Sequence, residues 1–188
     1  MLLKVIPYGN PHLRKQSTPV EVIDDEIRQL VDDMVETMHA AGGVGLSAPQ
    51  VDVRKTVFVI DWGLLEEGGE VRAYINPRIL ETGGQVLTNQ EGCLSFPEMT
   101  TDISRPDKIR VTYQTLDGED VEEELSDFPA RVFQHEYDHL FGILFIDRIS
   151  SEARQELKSK LQAILDGGIK PFDGTRPVET ESKQTVQA

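Results

Sequence analysis

Apolar positions along this chain change their period twice. Between residues 24 and 41, Ile27, Leu30, Val31, Met34 and Met38 recur at the i, i+3, i+4, i+7, i+11 spacing of one buried helical face. Asp24 can cap the free N–H groups of the first turn, and Asp25 and Glu26 suit its positive end. Gly42 and Gly43 stop the helix. From 56 to 125 the pattern becomes that of strands. TVFVID (56–61) is β-branched and aromatic, and YINP (74–77) ends at a proline. KIRVTYQTL (108–116) leads through Asp117-Gly118 into EDVEEEL, a hairpin because Asp-Gly accepts the positive φ of a tight turn. The stretch 89–106, carrying EGCLS and Pro97, reads as irregular.

Two further helices follow. One runs over 129–141, with Pro129 in its first turn and Gly142 after its end. The other covers 151–165, capped by Ser150 or Ser151 and stopped by Gly167-Gly168. Residues 1–23 hold Pro7, Pro11 and Pro19, and read as extended chain with a short helical turn near 12–15. The predicted fold is α+β: antiparallel strands packed around a central helix, in a single domain over 1–168. A polar tail over 169–188 is expected to be partly disordered.

Composition narrows the function classes. The 188 residues carry a formal charge of −14, which repels phosphate backbones and argues against DNA as a partner. The acid excess sits in residues 1–146, with 26 acidic against 12 basic side chains, while 147–188 balance at seven each. That balance gives no electrostatic support for docking of the C-terminal region on ribosomal RNA. No apolar run approaches the roughly 18 residues that a membrane span needs, so no membrane partner is expected. The start, MLLKVIPYGN, lacks the apolar stretch of a secretory signal. A single cysteine forms no internal disulfide, and a reducing, cytoplasmic setting is the expectation.

The chemistry concentrates in QHEYDHL, 134–140. His135 and His139 lie four apart, so on a helix both imidazoles leave one face, one turn apart, and can bind one ion. Glu136 adjoins the first of them and can reach a water on that ion as general base, then general acid. A catalytic site needs a third protein ligand and an open position. No histidine lies downstream, and Glu152 and Glu156 sit on a helix face that looks solvated. Cys93, upstream, offers a soft thiolate and completes a Cys-His-His set. His12 and His39 have no partner pattern and read as surface residues. Two rivals stay open: a zincin-type endopeptidase that would not need Cys93, and a structural metal protein whose fourth position is closed by protein.

Three segments, GVGLSAPQ (43–50), EGCLS (91–95) and QHEYDHL, resemble in order and spacing the three signature motifs of peptide deformylases. NPHLR (10–14) and LFIDRIS (144–150) also match, so the resemblance covers about residues 1–165. Ser47 departs from it, standing where the family usually has Ala. Leu94-Ser95 is similar to the bacterial-type form of the second motif. The resemblance implies removal of the N-formyl group from the formyl-methionine of nascent polypeptides, with metal-bound water attacking the formyl carbon. It implies one divalent metal ion, Fe²⁺ as the native one, with Zn²⁺, Ni²⁺ or Co²⁺ also accepted by the ligand set. It further implies the Leu94 backbone N–H and the Gln50 amide as donors to the developing oxyanion, and Gly45, with Gly43, as the backbone contact for the substrate peptide. Val44 follows by motif position as a wall of the methionine pocket, with Phe128 and Val132 beside it. Glu91 is expected to pair with Arg105 and fix the Cys93 loop.

Overall fold

A computed structural model describes residues 1–175. The amphipathic run forms α1, Asp25–Ala40, with Asp24 Oδ1 accepting from the Ile27 N–H at 3.0 Å. Its buried face, including Met34 and Met38, packs on two short strands that follow it, β1 (Gly45–Ser47) and β2 (Val57–Asp61). Each such fully buried side chain contributes roughly 1.5–3 kcal/mol through removal from water. The chain then enters β3 (Val71–Cys93), β4 (Phe96–Gln114) and β5 (Asp120–Ser126), which complete one antiparallel sheet in the order β1-β2-β3-β4-β5. The expected α+β arrangement holds: α2, Asp127–Leu140, packs against β1, β2, β4 and β5, and buries Ala130, Val132 and Phe133 in their shared core.

The stretch read as irregular, 89–106, is instead sheet. β3 and β4 form one long hairpin, turning at Leu94-Ser95 with Cys93 opposite Phe96. Gly92, Pro97 and Pro106 are local breakers, but a cross-strand ladder many residues long overrides them, and the ladder absorbs them as register shifts. Pro77 likewise does not end its strand, because it falls in the shift between Ile75 and Arg78. The expected 117–118 turn joins β4 to β5. Residues 45–51 are regular too, with β1 followed by a 3-10 turn over Ala48–Val51.

The last helix is two pieces, α3 (Ser151–Glu156) and α4 (Lys158–Leu165), and Ser150 Oγ accepts from the Ala153 N–H as its cap. α2 begins two residues earlier than Pro129. The short turn near 12–15 is present as a 3-10 helix over Pro11–Arg14. After α4 the chain returns to the N-terminal segment, where the Phe172 carbonyl accepts from the Val5 N–H at 3.0 Å. The start of the expected polar tail is therefore tied to the fold, and 176–188 lie outside the described residues.

Candidate metal centre

Four local structures converge on one buried point. The N-terminal segment bridges two of them: the Ile6 N–H donates to the Gln50 carbonyl at 2.8 Å and the Tyr8 N–H to the Ser95 carbonyl at 2.9 Å. These bonds fix β1 and its 3-10 turn against the hairpin tip. α2 supplies the other wall, with His135, Glu136 and His139 on its inward face.

The ligand atoms of Cys93, His135 and His139 lie within 4.8 Å of one another, and all three residues are buried. Cys93 Sγ is 3.3 Å from His139 Nε2. His135 turns Nδ1 to Glu91 Oε2 at 3.0 Å, which leaves its Nε2 aimed into the cluster with no hydrogen-bond partner. A buried nitrogen without a partner is costly unless something occupies the space it faces. The donor set, one thiolate and two imidazoles, fits one divalent transition metal. Among the described residues the cluster contains no fourth Cys, His, Asp or Glu, which leaves room for the open position that catalysis needs.

Electrostatics follow the burial. His139 is pushed well below its ordinary pKa by burial and then by the charge on His135, so it is neutral and able to ligate. Burial pulls His135 down too, but Cys93 and Glu91 outweigh that and lift its pKa to about 10. The proton on Nε2 is therefore one that a cation must displace. Both Glu136 oxygens are buried without a hydrogen-bond partner, and burial pushes this carboxyl up to about 7 against the opposing pull of His135 and the Ser47 hydroxyl.

Behind the cluster lies a buried ionic network. Arg105 grips Glu91 with two bonds, Nε to Oε1 at 2.6 Å and Nη2 to Oε2 at 2.9 Å, the expected pair. Arg131 adds a third bond to Glu91 Oε1 at 2.7 Å. Asp138 accepts from Arg105 at 2.9 Å and from Arg148. Burial would raise the Glu91 pKa, but His135 and Arg105 hold it well below the usual carboxylate range. Sequence reasoning assigned no role to Asp138 and did not reach Arg131 or Arg148. The available signal was the placement of Asp138 three residues after His135, on the same helical face. Replacing Glu91 with Gln strands Arg105 and Arg131 beside a weaker acceptor. We expect a loss of about 3–5 kcal/mol of stability, read by urea unfolding.

The first motif meets the other two by close backbone approach. A Cβ on Gly43 would lie 2.7 Å from Leu94 Cδ1, and one on Gly45 would lie 2.7 Å from Glu136 Oε1. Val44 and Val132 share one fully buried cluster, whereas Phe128 sits at the start of α2, 38% exposed and outside that cluster. Gln50 is fully buried, with Nε2 at 3.4 Å from Cys93 Sγ. His12 and His39 lie away from the cluster, beside Asp52 and Asp61 respectively.

A family model for polypeptide deformylase matches residues 2–155. The peptide deformylase of Thermotoga sp. (strain RQ2) is 47% identical over 163 residues, 87% of this chain and 96% of that protein. That of Zymomonas mobilis is 44% identical, over 85% of this chain and 93% of the relative. Among solved structures, the Thermotoga maritima peptide deformylase superposes with a TM-score of 0.75 at 46% identity, covering 80% of this chain and 99% of the other. A plant peptide deformylase gives 0.82 at 32% identity, covering 91% and 96%. With three motifs meeting at one Cys-His-His cluster, and relatives matched over most of both lengths, the chain belongs to the polypeptide deformylase family.

Proposed function

We propose that this chain hydrolyses the N-formyl group of formyl-methionine on nascent polypeptides, with Cys93, His135 and His139 holding one divalent metal and Glu136 moving the proton. The observation that carries the reading is a buried Glu136 carboxyl, with neither oxygen in a fully formed hydrogen bond among the described residues, one residue from a ligand in a three-ligand cluster. A cation bound there supplies a lowered pKa for water and Lewis-acid polarisation of the formyl carbonyl. Glu136 takes the proton on a carboxylate oxygen, holds it, and delivers it to the leaving amine. Among the described residues neither oxygen is tied up in a fully formed hydrogen bond, which leaves them available for that proton.

Gln50 Nε2 and the Leu94 backbone N–H serve as donors to the formyl oxygen as charge develops on it. Support for Gln50 is its burial and its amide nitrogen beside Cys93. Support for Leu94 is its place in the turn directly after that ligand. Among the described residues β1 is the outermost strand of the sheet and pairs with β2 alone, so its other edge can align a peptide backbone at Gly45, with Gly43 leaving room for Leu94. Val44 and Val132, together in one buried apolar cluster, are the assigned wall for the methionine side chain, with Phe128, exposed at the start of α2, as a further wall. Gly45→Ala would press a methyl group into Glu136, and we expect kcat to fall about ten- to a hundredfold with metal content unchanged.

Fe²⁺ is the proposed native metal, with Zn²⁺, Ni²⁺ or Co²⁺ able to replace it on the same donors. The substrate places the enzyme in the cytoplasm, where polypeptides are made. The near-neutral charge of 147–188 gives no electrostatic support for ribosome docking. The test is formate release from a formyl-methionyl peptide, with metal analysis of the same oxygen-free sample. One ion per chain with formate released supports the reading, and a loaded but silent protein overturns it. Under peroxide the iron form should lose activity faster than the zinc form, because iron brings redox chemistry next to a thiolate. Equal rates would remove the case for iron.

A further inference from the structure

We infer that Ser47 is a positioning residue for this reaction, its hydroxyl and backbone N–H together holding Gln50 Oε1 so that Gln50 Nε2 faces the Cys93 side of the site. The inference rests on the role proposed above for Gln50. Gln50 Oε1 accepts two bonds from one residue, from Ser47 N at 2.9 Å and from Ser47 Oγ at 2.8 Å. Both residues are fully buried, so water cannot replace either bond. The other end of the amide is held loosely: Nε2 lies 3.4 Å from both Cys93 Sγ and Ser95 Oγ.

This asymmetry has a chemical use. A primary amide can rotate by half a turn, exchanging its oxygen and nitrogen at little steric cost. The flipped form would set Nε2 against the Ser47 N–H, donor against donor, and turn Oε1 toward the Cys93 sulfur. It would remove the oxyanion donor and add a lone pair beside a thiolate. The backbone N–H alone disfavours that flip, and the hydroxyl adds a second bond to the same oxygen. Tight bonding at Oε1 with slack at Nε2 leaves the donating nitrogen ready to exchange a long contact for the oxyanion. Ser47 also neighbours the Glu136 carboxylate, so one hydroxyl stands between the proton carrier and the oxyanion donor. A small apolar side chain would fill the same buried position on β1 but would give up the hydroxyl's contacts with Gln50 and with Glu136.

The test is a double-mutant cycle on the metal-loaded enzyme: wild type, Ser47→Ala, Gln50→Ala and the pair, with Ser47→Thr as the rescue variant. Metal content and circular dichroism are read on each. Ser47→Ala should lower kcat about three- to tenfold with KM changed less than about twofold, as expected for an interaction that matters only in the transition state. Ser47→Thr, which keeps the hydroxyl, should recover most of the loss. In the Gln50→Ala background the further loss from Ser47→Ala should vanish. An unchanged kcat in Ser47→Ala, a loss carried in KM, or an equal loss with and without Gln50 overturns the inference. Full activity in Gln50→Ala alone overturns instead the role assigned to Gln50.

Discussion

Glu136→Gln is expected to lower kcat by about 10³–10⁴-fold while one metal ion per chain is retained. The substitution is close to isosteric, and the Ser47 hydroxyl beside the carboxylate can meet an amide oxygen equally well, so little structural contact is lost. What disappears is the ability to accept a proton. The variant also isolates an electrostatic cost. In the metal-free protein the Glu136 pKa is raised by burial to about 7. A carboxyl raised in this way leaves stability intact below its unfolded pKa and withdraws it as pH climbs through the folded value. The metal-free Gln variant should therefore unfold at higher urea than wild type above pH 7, with the difference fading below pH 5. Loss of activity with metal kept and stability raised identifies Glu136 as the proton carrier. Retained activity contradicts that role.

Cys93→Ala should release the metal, and with it the activity. Cys93 is fully buried at the hairpin tip, its sulfur beside His139 Nε2, and it contributes the one thiolate of the set. Two imidazoles alone form a weak site, so the dialysed variant should hold well under one ion per chain. The fold should survive, since the β3–β4 ladder and the Glu91–Arg105 pair do not pass through the sulfur. An endopeptidase of the zincin type would keep its metal after this substitution, so metal analysis of Cys93→Ala separates the two chemistries.

Much of the site was legible because its signals are local. The His135–His139 spacing, Glu136 between them and the capped, amphipathic α1 are each complete within a few helical turns. The sheet was harder. Gly92, Pro97 and Pro106 are breakers when read along the chain, yet each sits in a hairpin whose pairing joins residues up to about forty positions apart, as Ile75 with Gln114. The ionic network was hidden for the same reason. Arg131 and Asp138 face outward or inward depending on what packs against α2, and their partners Glu91 and Arg105 lie far back in sequence. The pair Glu91–Arg105 could be guessed, but its bond to His135 could not. Ser47 reads as a small residue in a small slot, and its two bonds to Gln50 emerge only once the 3-10 turn folds Gln50 back over it. The break between α3 and α4 has no Gly or Pro to announce it.

In the proposed site one sulfur and two imidazoles hold a single cation with a corner left open. X-ray absorption at the zinc edge of the zinc-loaded protein tests it directly. The expected shell is one sulfur at about 2.3 Å, two imidazole nitrogens at about 2.0–2.1 Å, and one light solvent atom that azide or a hydroxamate displaces. A shell without sulfur, or a fourth protein ligand that no small anion displaces, would contradict it.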